Sequence, residues 1–300
     1  MIFWRIIDNN IYEVKEVEKL GFESSNALYI PDDYLDSQNF VIMRTCHGIG
    51  DWGILSAMPR LLKQKYPNCK VYLPSTKLLQ ELFIKTQPNW NPWNNIFKNV
   101  EIIFNNNPYI DGYVDKLSGE TFHDHYRIYD NNNPNIPLVE QILKFWQFDI
   151  TEYEDSQPEL YFTQEEQKLG DQIIEEYVKN KKDFGCLLIS DRFGTQYGKY
   201  DEKTYQNDHK KITKLLNNNV MPYFCWTYKP LNELGFDFVD NVLDVRNIDL
   251  RIQLYIKSKA KVNIGNQCGT NHCVVRYSDV YEVQRQSVLG HNFVKGETYV

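Results

Sequence analysis

The sequence predicts an α/β protein built from two doubly wound parallel-sheet domains. Two series of short apolar runs alternate with amphipathic helical segments, one over residues 40–114 and the other over residues 185–283. Such alternation is typical of parallel sheets with right-handed crossovers. An acidic stretch that contains Pro158 separates the two series, and 300 residues are enough for two domains of ordinary size. We therefore expect a cleft between two domains, the preferred place for a small-molecule site.

The composition argues against several classes of function. The 33 basic and 40 acidic residues give a net charge of −7, which disfavours a nucleic-acid or anionic-membrane binder. No stretch approaches the roughly 18 apolar residues of a membrane span, and the N-terminus lacks the pattern of a signal peptide. The six cysteines are scattered, several within apolar runs, as expected for buried free thiols. We expect a cytoplasmic protein, and peripheral contact with a membrane stays open.

The first predicted domain covers residues 39–157. It follows an accessory region, residues 1–38, that contains a hairpin with the polar turn Asp8-Asn9-Asn10. The strands of the domain are predicted at 40–45, 69–73 and 100–104, and its helices at 52–66, 77–84 and 138–148. Pro59 lies inside the first of these helices and predicts a kink or an irregular first turn. Residues 116–136 show no periodic pattern and are expected to form a long surface loop.

The second predicted domain covers residues 158–284. Its strands are predicted at 185–190, 221–226, 239–244, 260–264 and 280–283, and its helices at 164–178, 205–216, 248–258 and 270–276. These segments largely alternate between strand and helix, which again predicts parallel pairing. Residues 285–300 show no clear pattern, so we treat them as a C-terminal tail that can return to the first domain.

The segment Gly48-Ile49-Gly50-Asp51 joins the first apolar strand to a helical pattern. In parallel α/β folds this junction lies at the carboxyl edge of the sheet, where ligands bind. Asp51 can serve there as a catalytic carboxylate that takes a proton from a substrate hydroxyl. The alternative is a helix N-cap worth about 1 kcal/mol, and a capping carboxylate points at its own backbone. His47 and Gly50 share the same turn.

A second glycine-containing turn lies in residues 265–272, Gly-Asn-Gln-Cys-Gly-Thr-Asn-His, which follow an apolar strand and open a predicted helix. Glycines allow the backbone to approach a ligand closely, and the N–H groups of a helix start bind phosphate. Thr270 and His272 can donate further hydrogen bonds to the same anion. The alternative is an ordinary strand-to-helix turn capped by Thr270 or Asn271.

Two groups of residues resemble metal ligands by their spacing. His123 and His125 alternate on an extended segment and can share one face, but no third ligand is evident nearby. A loop that contacts a substrate accounts for them better, and plain surface polarity better still. Cys268, His272 and Cys273 can also be interpreted as zinc ligands, although the glycines and the preceding strand favour phosphate. We therefore predict no metal site.

Three further residues are candidates for ligand contacts in the second domain. Arg192 and Lys199 follow the strand predicted at 185–190, where they can hold phosphate charge or remain solvated loop charges. Glu233 follows the strand predicted at 221–226 and can hydrogen-bond a ribose.

Several segments, taken in order, resemble glycosyltransferase family 9, the heptosyltransferase-like enzymes. Gly48-Ile49-Gly50-Asp51 with Pro59-Arg60-Leu61-Leu62 is similar to the family's Gly-Asp pair and proline-containing helix. Asn107-Pro108-Tyr109-Ile110-Asp111 resembles its Asn-Pro-Tyr-(Val/Ile)-Asp segment, and residues 264–272 resemble its Gly-x-Asp-(Ser/Thr)-Gly-x-x-His signature. Gly194-Thr195 with Lys199 resembles its donor-side lysine loop.

The resemblance implies a GT-B fold, with two Rossmann-like domains that face a central cleft. It also implies an inverting, metal-independent transfer of a sugar from a nucleotide-diphosphate donor to a glycan or glycolipid acceptor, with no cofactor. Asp51 matches the residue proposed as general base in that family. Gly269, Thr270 and His272 match its diphosphate-binding positions, and Lys199 matches a phosphate-neutralising one. The predicted donor side thus comprises Gly269, Thr270, His272, Lys199, Arg192, Gln267 and Glu233, and the predicted acceptor side comprises Gly50, His47, His123 and His125.

The sequence departs from the family pattern near both candidate sites. Two extra residues separate Asp51 from Pro59, and Gln267 stands where the family has an acidic residue near the donor. The difference at Gln267 leaves the identity of the donor open. Two alternatives to a transferase therefore remain: a nucleotide-sugar epimerase or hydrolase with the GT-B fold, and a non-catalytic nucleotide-sugar-binding protein.

Overall fold

The computed structural model divides the chain into two compact units. The first consists of Met1–Asn132 and Val139–Ser156, and the second of Asn133–Leu138 and Gln157–Val300. The residues that the structure describes are 4–7, 10–13, 39–43, 48–86, 96–116, 122–123, 156–179, 183–189, 202–217, 221–227, 242–245, 247–266, 268–283 and 296–299. Within these ranges, no helix combines the length and the apolar character that crossing a bilayer requires. The helix predicted at 138–148 lies outside the described residues.

The first unit contains the predicted hairpin and a parallel sheet with helices. Its strands are β1 (Trp4–Ile7), β2 (Asn10–Glu13), β3 (Asn39–Met43), β4 (Lys70–Pro74), β5 (Gly112–Val114) and β6 (Phe122–His123). Its helices are α1 (Ile49–Ile54), α2 (Met58–Lys65), α3 (Thr76–Thr86) and α4 (Asn99–Phe104), the last preceded by a 3₁₀ turn at Ile96–Lys98. β1 and β2 pair antiparallel, so the hairpin prediction is confirmed.

The sheet of the first unit has the spatial order β5-β4-β3-β6, and all of its pairs are parallel. Numbered along the chain from β3, this order is 3-2-1-4, in which the direction of strand addition reverses between β3 and β6. Ligands of open α/β sheets bind at such a switch point, outside the carboxyl ends of the strands. The residues at these ends are Met43 and His123, which are paired in the sheet.

Three predictions in the first unit are corrected by the structure. Residues 100–104 form helix α4 rather than a strand, because Val100, Ile103 and Phe104 are buried at the i, i+3, i+4 spacing of a helix face. The helix predicted at 52–66 is two helices, and Pro59 lies in the first turn of α2, where proline is tolerated. The loop predicted at 116–136 contains strand β6.

The segment that resembles an Asn-Pro-Tyr-Ile-Asp motif anchors the start of β4. The Asp111 carboxylate accepts hydrogen bonds from Lys63 Nζ at 2.6 Å, from the Val71 N–H at 2.8 Å and from Lys70 Nζ at 3.1 Å. Partial burial raises the pKa of Asp111, but these three donors outweigh that effect and hold the pKa below its usual value. The motif therefore has a structural role in tying α2, β4 and the loop before β5 together.

We expect Asp111→Asn to lower the free energy of unfolding by about 1–3 kcal/mol, because it weakens charge-assisted hydrogen bonds that are partly shielded from water. Chemical denaturation at neutral pH measures the difference. Lys70→Gln is the control, since Lys70 is 57% exposed and its removal should change stability little. The deficit of Asp111→Asn should shrink as the pH falls through the lowered pKa of Asp111, where the wild-type carboxyl also loses its charge. An equal loss in both variants would contradict this role of Asp111.

The second unit contains the longer sheet. Its strands are β7 (Gly185–Ile189), β8 (Tyr223–Thr227), β9 (Val242–Asp244), β10 (Val262–Asn266), β11 (Asp279–Val283) and β12 (Glu297–Tyr299). Its helices are α5 (Gln164–Val178), α6 (Glu202–Asn217), α7 (Leu250–Lys259) and α8 (Gly269–His272). The prediction for α5 is confirmed at both ends. Strand β12 lies in the tail that was predicted to lack a pattern.

The sheet of the second unit is a parallel sheet with the Rossmann strand order. Its spatial order is β9-β8-β7-β10-β11-β12, which is 3-2-1-4-5-6 when the strands are numbered from β7. Helices cover both faces through two apolar clusters. One cluster joins α6 to the sheet and includes Leu187, Ile212, Leu216, Tyr223 and Cys225, and the other joins α5 and α7 to it and includes Val178, Cys186, Phe224, Ile252 and Ile256. The prediction of a doubly wound sheet is therefore confirmed for this unit.

The described cysteines are free thiols, as predicted. Four of them, Cys69, Cys186, Cys225 and Cys273, are buried, and Cys268 is partly exposed. Burial raises the pKa of the Cys186 thiol to about 12, which keeps it protonated and unreactive at neutral pH. These thiols are therefore packing residues, as the apolar runs around them indicate.

Candidate functional site

The turn after β3 places Asp51 at the start of α1 and binds its carboxylate to the backbone. Helix α1 begins at Ile49 with Gly48 as its N-cap, so Asp51 is the third helical residue and not the cap itself. Asp51 Oδ2 accepts a hydrogen bond from the Gly48 N–H at 3.1 Å. A Cβ atom at Gly48 would lie 2.6 Å from Oδ2, so a side chain at this position would displace the Asp51 carboxylate. Asp51 is partly exposed and can be reached from solvent.

Other predicted acceptor-side residues lie on the same sheet. His123 ends β6 and pairs with Met43 at the end of β3, so the strand that leads to Gly48 and the one that carries His123 end side by side. The sequence had suggested that His123 lies in a loop, whereas the structure places it on a strand. Gly50 is buried within α1. His47 and His125 lie outside the described residues.

The turn after β10 occupies the switch point of the second sheet, where β7 and β10 are neighbours. Gly265 brings these two strands together, because a Cβ atom there would lie 2.0 Å from the carbonyl oxygen of Leu188. At the end of β10, the buried Asn266 donates from Nδ2 to Asp208 Oδ2 of α6 at 3.2 Å. The chain then turns through Cys268 into α8, at the edge of the sheet where ligands bind in Rossmann folds.

Helix α8 is shorter than the sequence indicates. The predicted helix at 270–276 is a single turn, Gly269–His272, followed by irregular turns. A helix of a single turn has only a small dipole, so its N-terminus attracts phosphate less than that of the longer helix that was predicted. Its N-cap is Cys268, so the alternative with Thr270 or Asn271 as cap is wrong. Gly269 and Thr270 are partly exposed, and Thr270 Oγ1 lies 3.1 Å from the Cys268 sulfur.

A buried cluster of charged side chains lies under this turn. His272 Nδ1 is hydrogen-bonded to the Glu297 carboxylate of β12. Glu282 of β11, which is fully buried, accepts a hydrogen bond from the Cys268 N–H at 3.2 Å. Lys257 of α7, 1% exposed, donates from Nζ to Asn271 Oδ1 at 2.7 Å. Strands β11 and β12 and helix α7 therefore each place a charged side chain next to this one short turn.

The two carboxylates control the charge of His272. Burial lowers the pKa of His272, but the charges of Glu297 and Glu282 outweigh it and raise the pKa to about 10. Burial and the charge of Glu297 in turn raise the pKa of Glu282. The Asn271 side-chain amide lies near enough to Glu282 to lower the pKa of Glu282. The atoms Asn271 Nδ2 and Glu282 Oε2 nevertheless do not have the geometry of a hydrogen bond. The imidazole is thus cationic at neutral pH, where a buried histidine is ordinarily neutral.

The cluster is close enough in its spacing to hold a cation, and without a metal ion the protonated imidazole takes that place. Ligand atoms of His272, Glu282 and Glu297 lie within 4.8 Å of one another. The protonated imidazole supplies the positive charge between the carboxylates, so we interpret the group as an ion-pair cluster. The zinc interpretation of Cys268, His272 and Cys273 gains no support, because the described residues do not bring the two thiols and the imidazole together at metal-ligand spacing. The Cys273 thiol is buried and bonds to the Gly269 carbonyl at 3.1 Å.

Several predicted donor-side residues lie outside the part of the chain that the structure describes. They are Lys199, Arg192, Gln267 and Glu233. Conversely, sequence reasoning missed Lys257, Glu282 and Glu297. A lysine and a glutamate at positions otherwise apolar are a usable signal for the first two, since buried charges require partners. Glu297 carried no such signal.

No protein-family model and no curated protein sequence matches this chain. Among solved structures, it is similar to the glycosyl transferase family 9 from Veillonella parvula DSM 2008, with a TM-score of 0.57, 9% identity, and 89% of this chain and 86% of that chain covered. It is also similar to the ADP-heptose lps heptosyltransferase II of E. coli, with a TM-score of 0.44, 9% identity and coverages of 88% and 90%. A third structure is the E. coli heptosyltransferase WaaC with ADP-2-deoxy-2-fluoro heptose, with a TM-score of 0.44, 10% identity and coverages of 87% and 92%. The likeness to the Veillonella parvula structure, which has the highest TM-score of the three at 0.57, confirms the GT-B fold predicted from the sequence.

Proposed function

We propose that the chain is a glycosyltransferase that moves a sugar from a nucleoside-diphosphate donor to a glycan or glycolipid acceptor. The observation that carries this proposal is the strand order of the second unit, 3-2-1-4-5-6, with a partly exposed glycine-containing turn at its switch point. Rossmann sheets bind nucleotides at that point. The likeness in fold to a family 9 glycosyl transferase supports a nucleotide sugar as the ligand.

The donor side is proposed at the carboxyl ends of β7 and β10. Gly269 and Thr270 are partly exposed there and can contact the diphosphate, while the cationic His272 lies within the same helical turn. Lys199 and Arg192, which follow β7 in the sequence, are proposed to neutralise the departing diphosphate. Cationic side chains can take the place of a metal ion in this role, so we propose a metal-independent transfer.

Gln267 and Glu233 complete the proposed donor side. Gln267 immediately precedes the turn at Cys268, and its amide can hydrogen-bond the donor where related enzymes use a carboxylate. Glu233 follows β8 and is proposed to bond a ribose hydroxyl. Gly50, His47, His123 and His125 are proposed on the acceptor side, next to the first sheet.

Asp51 is proposed as the general base of an inverting displacement. The acceptor oxygen bonds to the anomeric carbon while the bond from that carbon to the diphosphate oxygen breaks. The hydroxyl proton passes to the Asp51 carboxylate, and the electron pair of the broken bond leaves with the diphosphate. The partial exposure of Asp51 at the carboxyl edge of the first sheet supports this role. Its hydrogen bond from the Gly48 N–H holds the carboxylate in one place and competes with proton transfer.

That competition favours one alternative, a nucleotide-sugar-binding protein that does not catalyse transfer. If the Asp51 carboxylate only stabilises the start of α1, the donor side can still bind its ligand. An epimerase or hydrolase is the other alternative, and it would consume the donor without an acceptor. Binding, donor turnover and transfer are therefore measured separately.

Binding is tested by thermal unfolding in the presence of ADP, GDP, UDP and representative sugar derivatives of each. A ligand present at 100 times its Kd stabilises the native protein by about 2.7 kcal/mol, so at least one nucleoside diphosphate should raise the Tm by several degrees. Each nucleoside monophosphate serves as the matched control, because it lacks the second phosphate that the switch-point turn is proposed to hold. No shift with any nucleotide would contradict the proposal.

The role of Asp51 is tested with Asp51→Asn. The asparagine oxygen can still accept the hydrogen bond from the Gly48 N–H, so the substitution separates capping from base catalysis. With the donor identified by binding, we expect kcat to fall about 10²–10⁴-fold while the Kd of the nucleoside diphosphate is unchanged. Asp115→Asn, at an exposed position of the same unit, is the control.

Three results would count against the assignment. Full transfer activity of Asp51→Asn would show that Asp51 is not the base. Turnover of the donor without an acceptor would favour an epimerase or hydrolase. Binding by the wild-type protein without turnover against a broad acceptor panel would favour the binding protein.

A further inference from the structure

The C-terminal strand delivers a buried carboxylate to the proposed donor site. Strand β12 pairs in parallel with β11 at the edge of the sheet, with Val280 opposite Glu297. The side chain of Glu297 is fully buried, and its carboxylate is hydrogen-bonded to His272 Nδ1. A fully buried carboxylate on an edge strand is costly unless it is paired, so its presence calls for a role.

Four groups face the His272 imidazole or the residue beside it. Glu297 reaches it from β12, Glu282 from β11 and Cys268 from the preceding turn, while Lys257 of α7 bonds to the adjacent Asn271. The two carboxylates overcome the effect of burial and keep the imidazole protonated. The result is a protonated imidazole, paired with a carboxylate, that persists over the physiological pH range inside the protein and under the turn.

The same cluster fixes the backbone of the turn. The Cys268 carbonyl accepts hydrogen bonds from the Asn271 N–H at 3.1 Å and from the His272 N–H at 3.4 Å. The Cys268 N–H is itself bonded to the buried Glu282. His272 is only 6% exposed, so it acts on a ligand chiefly through the turn above it, which its own N–H and its ion pair with Glu297 help to hold in place.

We infer that Glu297 is a positioning residue of the donor site: it holds His272 in its cationic form under the turn at residues 268–270, and the C-terminal strand thereby completes the diphosphate site. This inference rests on the proposed function for the identity of the ligand. The cluster itself is independent of that identity, so the two can be tested apart.

The test compares the wild-type protein with Glu297→Gln, which keeps a hydrogen-bond acceptor but removes the charge. Isothermal titration with ADP and with GDP, at about pH 6 and about pH 9, gives the Kd. Glu297→Asp restores the carboxylate and is the rescue variant. Glu176→Gln removes the same charge from an exposed position of α5 and is the matched control. Glu282→Gln, which removes the second carboxylate, provides a further variant if Glu297→Gln does not fold.

The expected result follows from the sign of the shift in pKa. In the wild-type protein the pKa of His272 is raised to about 10, so we expect the imidazole to stay protonated at both pH values, while Glu282, whose pKa is raised to about 8, changes its charge between them. Without Glu297, one of the two carboxylates that oppose the effect of burial is gone, so we expect the imidazole to lose its proton within this range. We expect the Kd of Glu297→Gln to weaken about tenfold or more between the lower and the higher pH, beyond any change in the wild type. Glu297→Asp should largely restore the wild-type profile, and Glu282→Gln should change it in the same direction.

Titration of the ligand-free protein by NMR separates the inference from the proposed function. The imidazole signals of His272, assigned by their loss in His272→Gln, should remain those of the cation above about pH 9 in the wild type and should titrate below about pH 7 in Glu297→Gln. If the imidazole titrates normally in the wild type, the inference is wrong. A pH profile of the Kd in Glu297→Gln that matches the wild type would also overturn it.

Two further results discriminate between the remaining explanations. An equal loss of affinity at both pH values, together with a lower Tm, would show a merely structural role for Glu297 and overturn the inference. One equivalent of a divalent metal in the purified protein, absent from Glu297→Gln, would overturn it in favour of a metal site. If the wild type binds neither nucleotide although His272 remains cationic, the proposed ligand is wrong while the charge cluster stands.

Discussion

Strands β7 and β10 approach each other so closely at Gly265 that a Cβ atom there would lie 2.0 Å from the carbonyl oxygen of Leu188. The obstacle is backbone rather than a flexible side chain, so it cannot be relieved without moving a central strand. This pair of strands is also the switch point of the sheet, because β7 and β10 are the first and fourth strands along the chain. In doubly wound sheets the connections that leave two such strands run to opposite faces, and ligands bind in the crevice between them. The proposed donor site lies at this switch point.

The charged side chains buried under the proposed site are each bonded to other groups of the protein. Lys257 is buried, bonds to Asn271 and lies over the ring of Trp226, with Nζ 5.5 Å from the ring centroid. His272 is paired with Glu297, and Glu282 holds the backbone of the turn. Such an arrangement is costly to build, since each group leaves water, but it fixes the turn in one conformation. The short helix α8 itself contributes little dipole.

The parts of the fold that the sequence predicts correctly are those with local signals. Helix α5 begins at a capping box, in which the side chains of Thr163 and Glu166 each bond to the other's backbone N–H. The apolar run at residues 100–104 fits a strand or a helix, because so short a run does not show its period, and only burial in the folded protein separates the two. The sequence did not indicate a role for Glu297, for a similar reason. Its partner His272 lies 25 residues earlier, and they meet only because β12 pairs with β11.

A crystal structure with the nucleoside diphosphate that binds most tightly tests the central claim most directly. The account predicts that the diphosphate lies outside the carboxyl ends of β7 and β10, within hydrogen-bonding distance of residues 268–270. The nucleotide would then lie at the switch point of the sheet, next to Gly265. A diphosphate bound at the ends of β3 and β6 in the first unit, or on a surface away from β10, would contradict it.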